Sequence, residues 1–289
     1  MVNCCDVDAD IAPHGHSFFE IALTTGGTGG HISVGGEQML DKGNLIIIRP
    51  GAWHGYTHCN HLIVHNCCFD HQLLQREMSW LREDGILNFL LWTGPYLDDR
   101  RGIMVVRLCP DDLPEILNLW QTLGKVQNST RRMETLGHLL LLLDKLTRSV
   151  EELDSLKNQT LNFHPAVMET MLLLENQIAQ EWSLADLARR CHLSSSYLVR
   201  LFKSQIGLAP IAYLNRYRLE RAVGLLLHTE LPVAEVAAQV GWYDPNLFAR
   251  RFRAAHGMSP RSYRHSFGTM VENGSARPLS EAAMERAGD

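Results

Sequence analysis

An internal repeat near the C-terminus constrains this chain more than any other feature. The stretch SLADLARRCHLSSSYLVRLFKSQIGLAPIAYL, from Ser183, is echoed by PVAEVAAQVGWYDPNLFARRFRAAHGMSPRSYR, from Pro232. Phe202, Gly207, Pro210 and Tyr213 return fifty positions later as Phe252, Gly257, Pro260 and Tyr263. Upstream the offset is 49, with Asp186 answered by Glu235 and Ala188 by Ala237, so the second copy carries one extra residue in its turn. A repeated unit of this length is one supersecondary element used twice. Each copy reads as a short helix, a tight turn and a second helix.

In the first copy Leu184, Leu187 and Ala188 form the inner face of the short helix. Ser194 or Ser195 is placed to cap the next helix by accepting from the free amides of its first turn. Leu198, Leu201 and Phe202 then point inward, leaving Ser196, Val199, Arg200 and Lys203 outside. In the second copy Gly241 permits the turn, Asp244 caps, and Pro245 occupies the first helical position. Leu247, Phe248 and Phe252 pack inward, while Asn246, Ala249, Arg250 and Arg253 face out. A helix with a small, polar, Arg-rich outer face, braced by a second helix, is what a DNA recognition helix requires. Arg forks onto guanine O6 and N7, Asn pairs with adenine, and an apolar Val meets a thymine methyl. Between the copies, residues 210–228 are continuous and helix-favouring. Such a helix spans about 28 Å and can set two recognition helices roughly one DNA turn, ~34 Å, apart.

Charge supports a polyanionic partner for this region. Residues 164–267 hold 12 Lys/Arg against 8 Asp/Glu, whereas residues 1–163 hold 13 against 20. A basic segment inside a chain of net charge −5 marks one module as the surface that meets phosphate. No window of 18 apolar residues occurs, which excludes a spanning helix. The acidic first 15 residues do not resemble a secretory leader. Seven cysteines, two pairs of them adjacent and none in C-x-x-C, read as reduced thiols of a cytoplasmic protein.

The N-terminal half has a different grammar. Residues 14–70 carry short strand-like runs, Phe18–Thr24, His31–Val34 and Asn44–Ile48, punctuated by GGTGG at 26–30, Gly35-Gly36, Gly43 and Pro50-Gly51. This pattern predicts a small β-barrel or sandwich with turns at the glycines. His14, His16 and Glu20 share one parity and therefore one face of an extended chain. A strand after Pro50-Gly51 can return His54 to them. Three imidazoles and a carboxylate there can hydrogen-bond a hydroxylated effector or hold Zn, Fe, Mn or Ni, and the residues leave both open. His58, His61 and His65 read as loop or strand-surface residues, and Trp53, Tyr56 and Phe18 as core or pocket lining. Residues 71–107 give no clear pattern. Residues 111–124 and 131–150 are helical in period, and the run Leu139–Leu143 predicts burial on more than one side. The polar stretch 151–163 reads as a linker and the Ala/Gly/Ser/Glu-rich 268–289 as a loose tail.

The repeat resembles the DNA-binding domain of the AraC/XylS family of bacterial transcription regulators. SLADLARRCHLSSSYLVRLFK, RLERAVGLLL, VAEVAAQVGW and NLFARRFRAAHGMSPRSYR carry the resemblance, with Trp242 where Phe is usual and Arg253 in place of the common Lys. It implies that Ser196, Val199 and Arg200, then Asn246, Ala249 and Arg250, face bases. His14-x-His16-x-x-x-Glu20 and Gly43, Pro50, Gly51 and His54 resemble the two cupin motifs, although only 13 residues precede His14, fewer than sensors of this family usually have. The expected architecture is thus α+β. A cupin-like effector-binding and dimerisation domain (1–150) precedes a linker (151–163) and an all-α domain with two helix-turn-helix motifs (164–267). The implied partners are promoter DNA, RNA polymerase, a small effector such as a carbohydrate, and a second copy meeting at Leu139, Leu142 and Leu146. The same leucines equally suit a cover over the barrel. No catalytic residue and no obligatory cofactor are expected. A cupin metalloenzyme carrying a DNA reader is the alternative, with His14, His16, Glu20 and His54 as metal ligands.

Overall fold

The computed structural model describes residues 1–70, 72–99, 101–151 and 164–267. The predicted linker, Glu151 apart, and the predicted tail lie outside these residues. Seven strands form one branched sheet: β1 (Val2–Val7), β2 (Ile11–Gly15), β3 (Phe19–Ser33), β4 (Gly36–Leu40), β5 (Asn44–Ile48), β6 (Trp53–Phe69) and β7 (Ile103–Arg107). The long strands β3 and β6 pair antiparallel along most of their length. The Phe19 end of β3 continues to β5 and β7, and its Ser33 end to β4. On the far side of β6, β1 and β2 take opposite ends.

GGTGG does not end a strand, as the glycine punctuation predicted. It lies inside β3, where the register with β6 slips between Thr24 and Gly30. Gly27 sits at φ 69°, and a Cβ there would overlap the His61 carbonyl. Bulges bend and twist a strand without terminating it, so one 15-residue strand serves both halves of a folded sheet. Residues 2–7, ahead of His14, form a full strand on β6.

Both faces of β3 are covered. Ala22, with Ile46, Ile48, Leu62, Val64 and Tyr56, packs inside the fold. Ile21, Leu23, Leu45 and Ile47 face helices α2 (Leu113–Val126) and α3 (Arg132–Ser149), which follow the four-residue α1 (Gly85–Asn88). Ile116, Trp120, Leu139, Leu142, Leu143 and Leu146 close this layer, each 5 % exposed or less. Of the two readings offered for Leu139, Leu142 and Leu146, the fold favours the cover over the sheet: these side chains are spent on the chain's own core. Burial is also one-sided, since Leu141 is 54 % exposed.

The C-terminal module is α4 (Pro165–Asn176), α5 (Leu184–Arg190), α6 (Ser195–Ile206), α7 (Pro210–His228), α8 (Val233–Gln239), α9 (Pro245–His256) and α10 (Pro260–Phe267). The repeat is visible in the caps, ends and cores of the two second helices. Ser194 accepts from the Tyr197 amide and Asp244 from the Asn246 amide at the starts of α6 and α9. Both helices end on a left-handed glycine, Gly207 at φ 80° and Gly257 at φ 76°, a conformation costly for a residue with a Cβ. Phe202 and Phe252, Leu198 and Phe248, and Tyr213 and Tyr263 are buried in pairs. α7 spans Pro210–His228, the range expected for the spacer.

Candidate nucleic-acid interface and effector site

Each helix-turn-helix presents its second helix outward. Ser196, Arg200, Lys203, Asn246, Arg250 and Arg253 are exposed, and Val199 and Ala249 are half-buried between them. The Arg200 guanidinium lies 5.4 Å from the centre of the Tyr197 ring, which offers it an aromatic rest. α5 braces the first recognition helix through Leu187 and Ala188, and α8 the second through Val236 and Ala237. Arg218 of α7 donates to the carbonyls of Ile178 and Gln180, at 2.8 and 2.7 Å, tying the spacer to the first half. Arg264 donates to Leu226 and Leu231, tying α10 to the other end of α7.

The four residues singled out in the barrel do meet, but by a different route. His14 lies near the end of β2 and Glu20 in β3, with a bend at Ser17–Phe18 between them, so shared parity on one strand is not what unites them. His14 pairs across strands with His54, their rings 4.4 Å apart. His16 Nε2 lies 3.2 Å from Glu20 Oε2, and His54 Nε2 lies 4.0 Å from the same oxygen. His31 joins them, with Nε2 3.3 Å from His54 Nδ1. Sequence reasoning missed His31 because its strand appeared to stop at the glycines. The signal was its odd separation from Glu20, which the bulges convert to the same face. Tyr56 stands 5.6 Å from His31 and 6.1 Å from His54, ring to ring.

Burial dominates the chemistry of this cluster. It lowers His31 to about 4 and His54 well below the ordinary imidazole range, and the neighbouring imidazoles push His54 further the same way. Burial also opposes ionisation of Glu20, but the His16 hydrogen bond and the surrounding imidazoles outweigh it and hold that carboxyl below its usual value. The site therefore contains a carboxylate facing mostly neutral rings. The His54 Nε2 atom is buried without a hydrogen-bond partner, and His16 Nε2 has Glu20 as its contact, at 3.2 Å. Their Nδ1 atoms are engaged, by the Phe18 carbonyl at 2.9 Å and by His31. That is how ligating imidazoles are oriented by an outer shell. His16, Glu20 and His54 each present a ligand atom within 4.8 Å of the others, and the donor set fits a divalent cation.

The other aromatic and histidine residues fall differently. Phe18 stacks on His16 at 4.1 Å. Trp53 packs instead against the second half of the helical module. His58 and His61 are exposed, as expected, but His65 is buried, edge-on to Trp120 at 6.3 Å. All seven cysteines are free, and burial pushes Cys4 and Cys67 up to about 12.

The two modules share buried polar contacts. Arg49, at the end of β5, makes a two-pronged ion pair with Glu220 of α7, at 3.1 and 3.0 Å, and Tyr96 donates to the same carboxylate. Arg82 pairs with Glu175 of α4 at 2.9 and 2.6 Å, joined by Tyr213. Gly15 is required at its place because a Cβ would overlap the buried Tyr263 hydroxyl of α10.

A β-rich sensing module with a buried polar cluster, docked on a pair of helix-turn-helix units, defines a one-chain DNA-binding regulator. The AraC-like ligand binding domain family matches residues 5–164, and a helix-turn-helix domain family matches residues 187–266. The chain belongs to the AraC family of transcription regulators, which bind DNA under the control of a small effector. It is 29% identical over 273 residues to the HTH-type transcriptional activator RhaS of Escherichia coli strain SE11, covering 89% of this chain and 88% of that one. It is 27% identical over 261 residues to the HTH-type transcriptional activator RhaR of Enterobacter sp. strain 638, covering 88% and 87%. Its fold is similar to that of an apo ToxT variant from Vibrio cholerae strain SCE256, with a TM-score of 0.51 at 13% identity over 92% of this chain and 96% of that one. Among the described residues no helix is long and apolar enough to cross a membrane.

Proposed function

We propose that the chain is a cytoplasmic transcription activator whose promoter occupancy is set by a small polar effector. The observation that carries this reading is the pair of exposed Arg-bearing recognition helices held by α7, which is itself ion-paired to the sensor. Residues 1–150 sense and residues 164–267 read, joined by 151–163 and followed by a tail at 268–289. Ser196, Val199 and Arg200 read one major groove and Asn246, Ala249 and Arg250 the next, while Lys203 and Arg253 flank them on phosphate. The similarity to RhaS and RhaR, both named transcriptional activators, favours recruitment of RNA polymerase over repression. A carbohydrate is the effector class we favour, approached by His14, His16, Glu20 and His54. A homodimer would use the apolar side chains that α3 leaves exposed, Met133 and Leu141.

Fluorescence anisotropy on promoter fragments tests the base-reading assignment. Arg200→Ala and Arg250→Ala should each cost about 1–3 kcal/mol and relax preference at separate positions of the site. Lys203→Ala should weaken all sequences alike and flatten the salt dependence. Equal, sequence-blind losses from all three would place the reading face elsewhere.

A second reading is that the barrel cluster holds a divalent cation. The buried, partnerless Nε2 of His54, and the Nε2 of His16 held against Glu20, favour it. The three side chains would ligate, with His31 and the Phe18 carbonyl fixing the rings, and the ion would supply a Lewis-acidic anchor for an effector hydroxyl. Elemental analysis of the purified chain decides this: about one equivalent, lost in His54→Gln, supports the cation, and none at all supports direct effector contact.

A further inference from the structure

We propose that Tyr197 is a positioning residue of the first recognition helix: its ring sets the Arg200 guanidinium before DNA arrives and thereby sharpens base discrimination at that position. This role rests on the base-reading assignment of Arg200 above and adds a second residue to it.

Helix geometry brings the two together. Tyr197 and Arg200 stand three residues apart in α6, on adjacent turns of one face. Helical side chains lean toward the N-terminus, so the Arg200 side chain runs back over the turn that carries Ser196 and Tyr197. Its guanidinium ends 5.4 Å from the centre of the Tyr197 ring, inside the ~6 Å reach of a cation–π contact. No carboxylate competes for it from the neighbouring turns. The residues three and four positions away are Ser196, Tyr197, Lys203 and Ser204, and the like charge of Lys203 favours the side of the ring. Of these four, it is the ring that the guanidinium meets.

The ring is not needed for the core beneath it. Leu198 and Phe202 fill that core at 0 % exposure each, whereas Tyr197 is 38 % exposed on the outward face. An aromatic there has the surface, not the interior, as its place of action.

The repeat supplies the contrast. Phe202 and Phe252 are equivalent, so Tyr197 corresponds to Leu247 and Arg200 to Arg250. Leu247 is half-buried, packs against the second core and has no π face. Arg250 keeps its rotamer freedom until it meets DNA and loses it on binding, whereas Arg200 has lost part of it beforehand. A pre-set fork gains in the complex that uses its one geometry, the two-pronged fit to guanine. It gains nothing on a replaced base pair or on phosphate, where other geometries serve. The ring therefore raises discrimination rather than general affinity.

The test is fluorescence anisotropy of the full chain on a promoter fragment that it binds and on the single-base-pair variants of that fragment. Arg200→Ala and Arg250→Ala first mark the base pair that each reads. Tyr197→Leu, which installs the residue of the second copy, should lower discrimination at the Arg200 base pair about two- to fivefold and leave it unchanged at the Arg250 base pair. Tyr197→Phe keeps the ring, loses the hydroxyl and should match wild type. In an Arg200→Ala background Tyr197→Leu should remove no further discrimination. Tyr197→Gln, a good helix former without a ring, takes the place of Tyr197→Leu if that variant melts early. Unchanged discrimination in the ringless variants would overturn the positioning role and keep Arg200 as a reader. So would equal losses at both base pairs, which mark a structural effect, or a Tyr197→Phe loss as large as that of Tyr197→Leu, which assigns the hydroxyl a DNA contact of its own. If Arg200→Ala relaxes no base pair, the reading assignment falls and the role of Tyr197 falls with it.

Discussion

Replacing Glu220 by Ala should loosen the contact between the two modules. The Glu220 carboxylate accepts from Arg49 Nε and Nη2 at 3.1 and 3.0 Å and from the Tyr96 hydroxyl. Arg49 is buried, its guanidinium resting over Phe19 at 4.9 Å and Tyr96 at 4.6 Å. Burial alone would ease a proton off this guanidinium, but Glu220 and Tyr96 outweigh it and hold Arg49 above its ordinary value. Without Glu220 the cation keeps the Leu91 carbonyl as its named acceptor. Removing one partner of a buried pair costs about 3–5 kcal/mol, because the other charge is left uncompensated. At roughly 2–4 °C per kcal/mol for a chain of this size, the melting midpoint should fall by about 6–20 °C. The double variant Arg49→Met, Glu220→Leu should recover most of that loss, since neither charge is then buried alone. Circular dichroism melts of the wild type, Arg49→Met, Glu220→Leu and the double variant close the cycle, with Glu220→Ala melted beside them. A Glu220→Ala midpoint within about 2 °C of wild type, or a double variant as unstable as the two singles added together, would refute the reasoning.

Other expectations follow from the same geometry. Leu142→Ala, at 1 % exposure, should cost about 2–5 kcal/mol in a urea unfolding curve, whereas Leu141→Glu should leave stability near wild type and shift a sedimenting dimer toward monomer. Burial lowers His65 to about 4 and, with Arg216 repulsion, His256 to about 3, below the 6.5 of a free imidazole. The unfolded chain then binds more protons than the folded one, so stability holds above about pH 6.5 and is lost as pH falls toward these values. The slope is about 1.4 kcal/mol per pH unit for each group, and His256→Phe should make the acid limb of a pH-dependent melt shallower. Asp244→Ala removes the cap of α9 and should cost about 0.5–2 kcal/mol, read by the same melts, with weaker DNA binding at the half-site proposed for Asn246 and Arg250.

Local signals made the reader legible and hid part of the sensor. Caps and prolines act within one turn, so Ser194 or Ser195, Asp244 and Pro245 announced helix starts, and the fold selects Ser194 and keeps Asp244 and Pro245. The sensor depends on pairing between distant strands, which sequence does not display. GGTGG reads as a turn because glycine in a turn and glycine in a bulge leave the same trace. That error hid His31 behind a strand end that does not exist. The parity argument joined His14, His16 and Glu20 for a reason that fails at Ser17; His54 returns on the strand after Pro50-Gly51 as expected, and β2–β6 pairing restores the group. Leu139, Leu142 and Leu146 carry an apolar face that fits a core and a dimer seam equally. Only the position of the sheet distinguishes the two. Arg49, Arg82, Glu175 and Glu220 carried no sequence signal, because their partners lie 171 and 93 residues away.

The two reading heads are copies, but they are not equivalent. One offers Ser196, Val199 and Arg200, the other Asn246, Ala249 and Arg250, and the extra residue in the second turn gives Trp242 and Tyr243 no counterpart spacing in the first. A DNA segment that satisfies both heads consequently spells differently from its two ends. Reversing that segment would offer each head the other's bases. A single bound chain therefore has a heading along the duplex, and the sensor docked against α7 is carried to a fixed side of it. A twofold-symmetric dimer on a palindrome has no such heading. Inverting the site in front of a promoter should then change which protein surface meets the transcription start, even where affinity is unaltered.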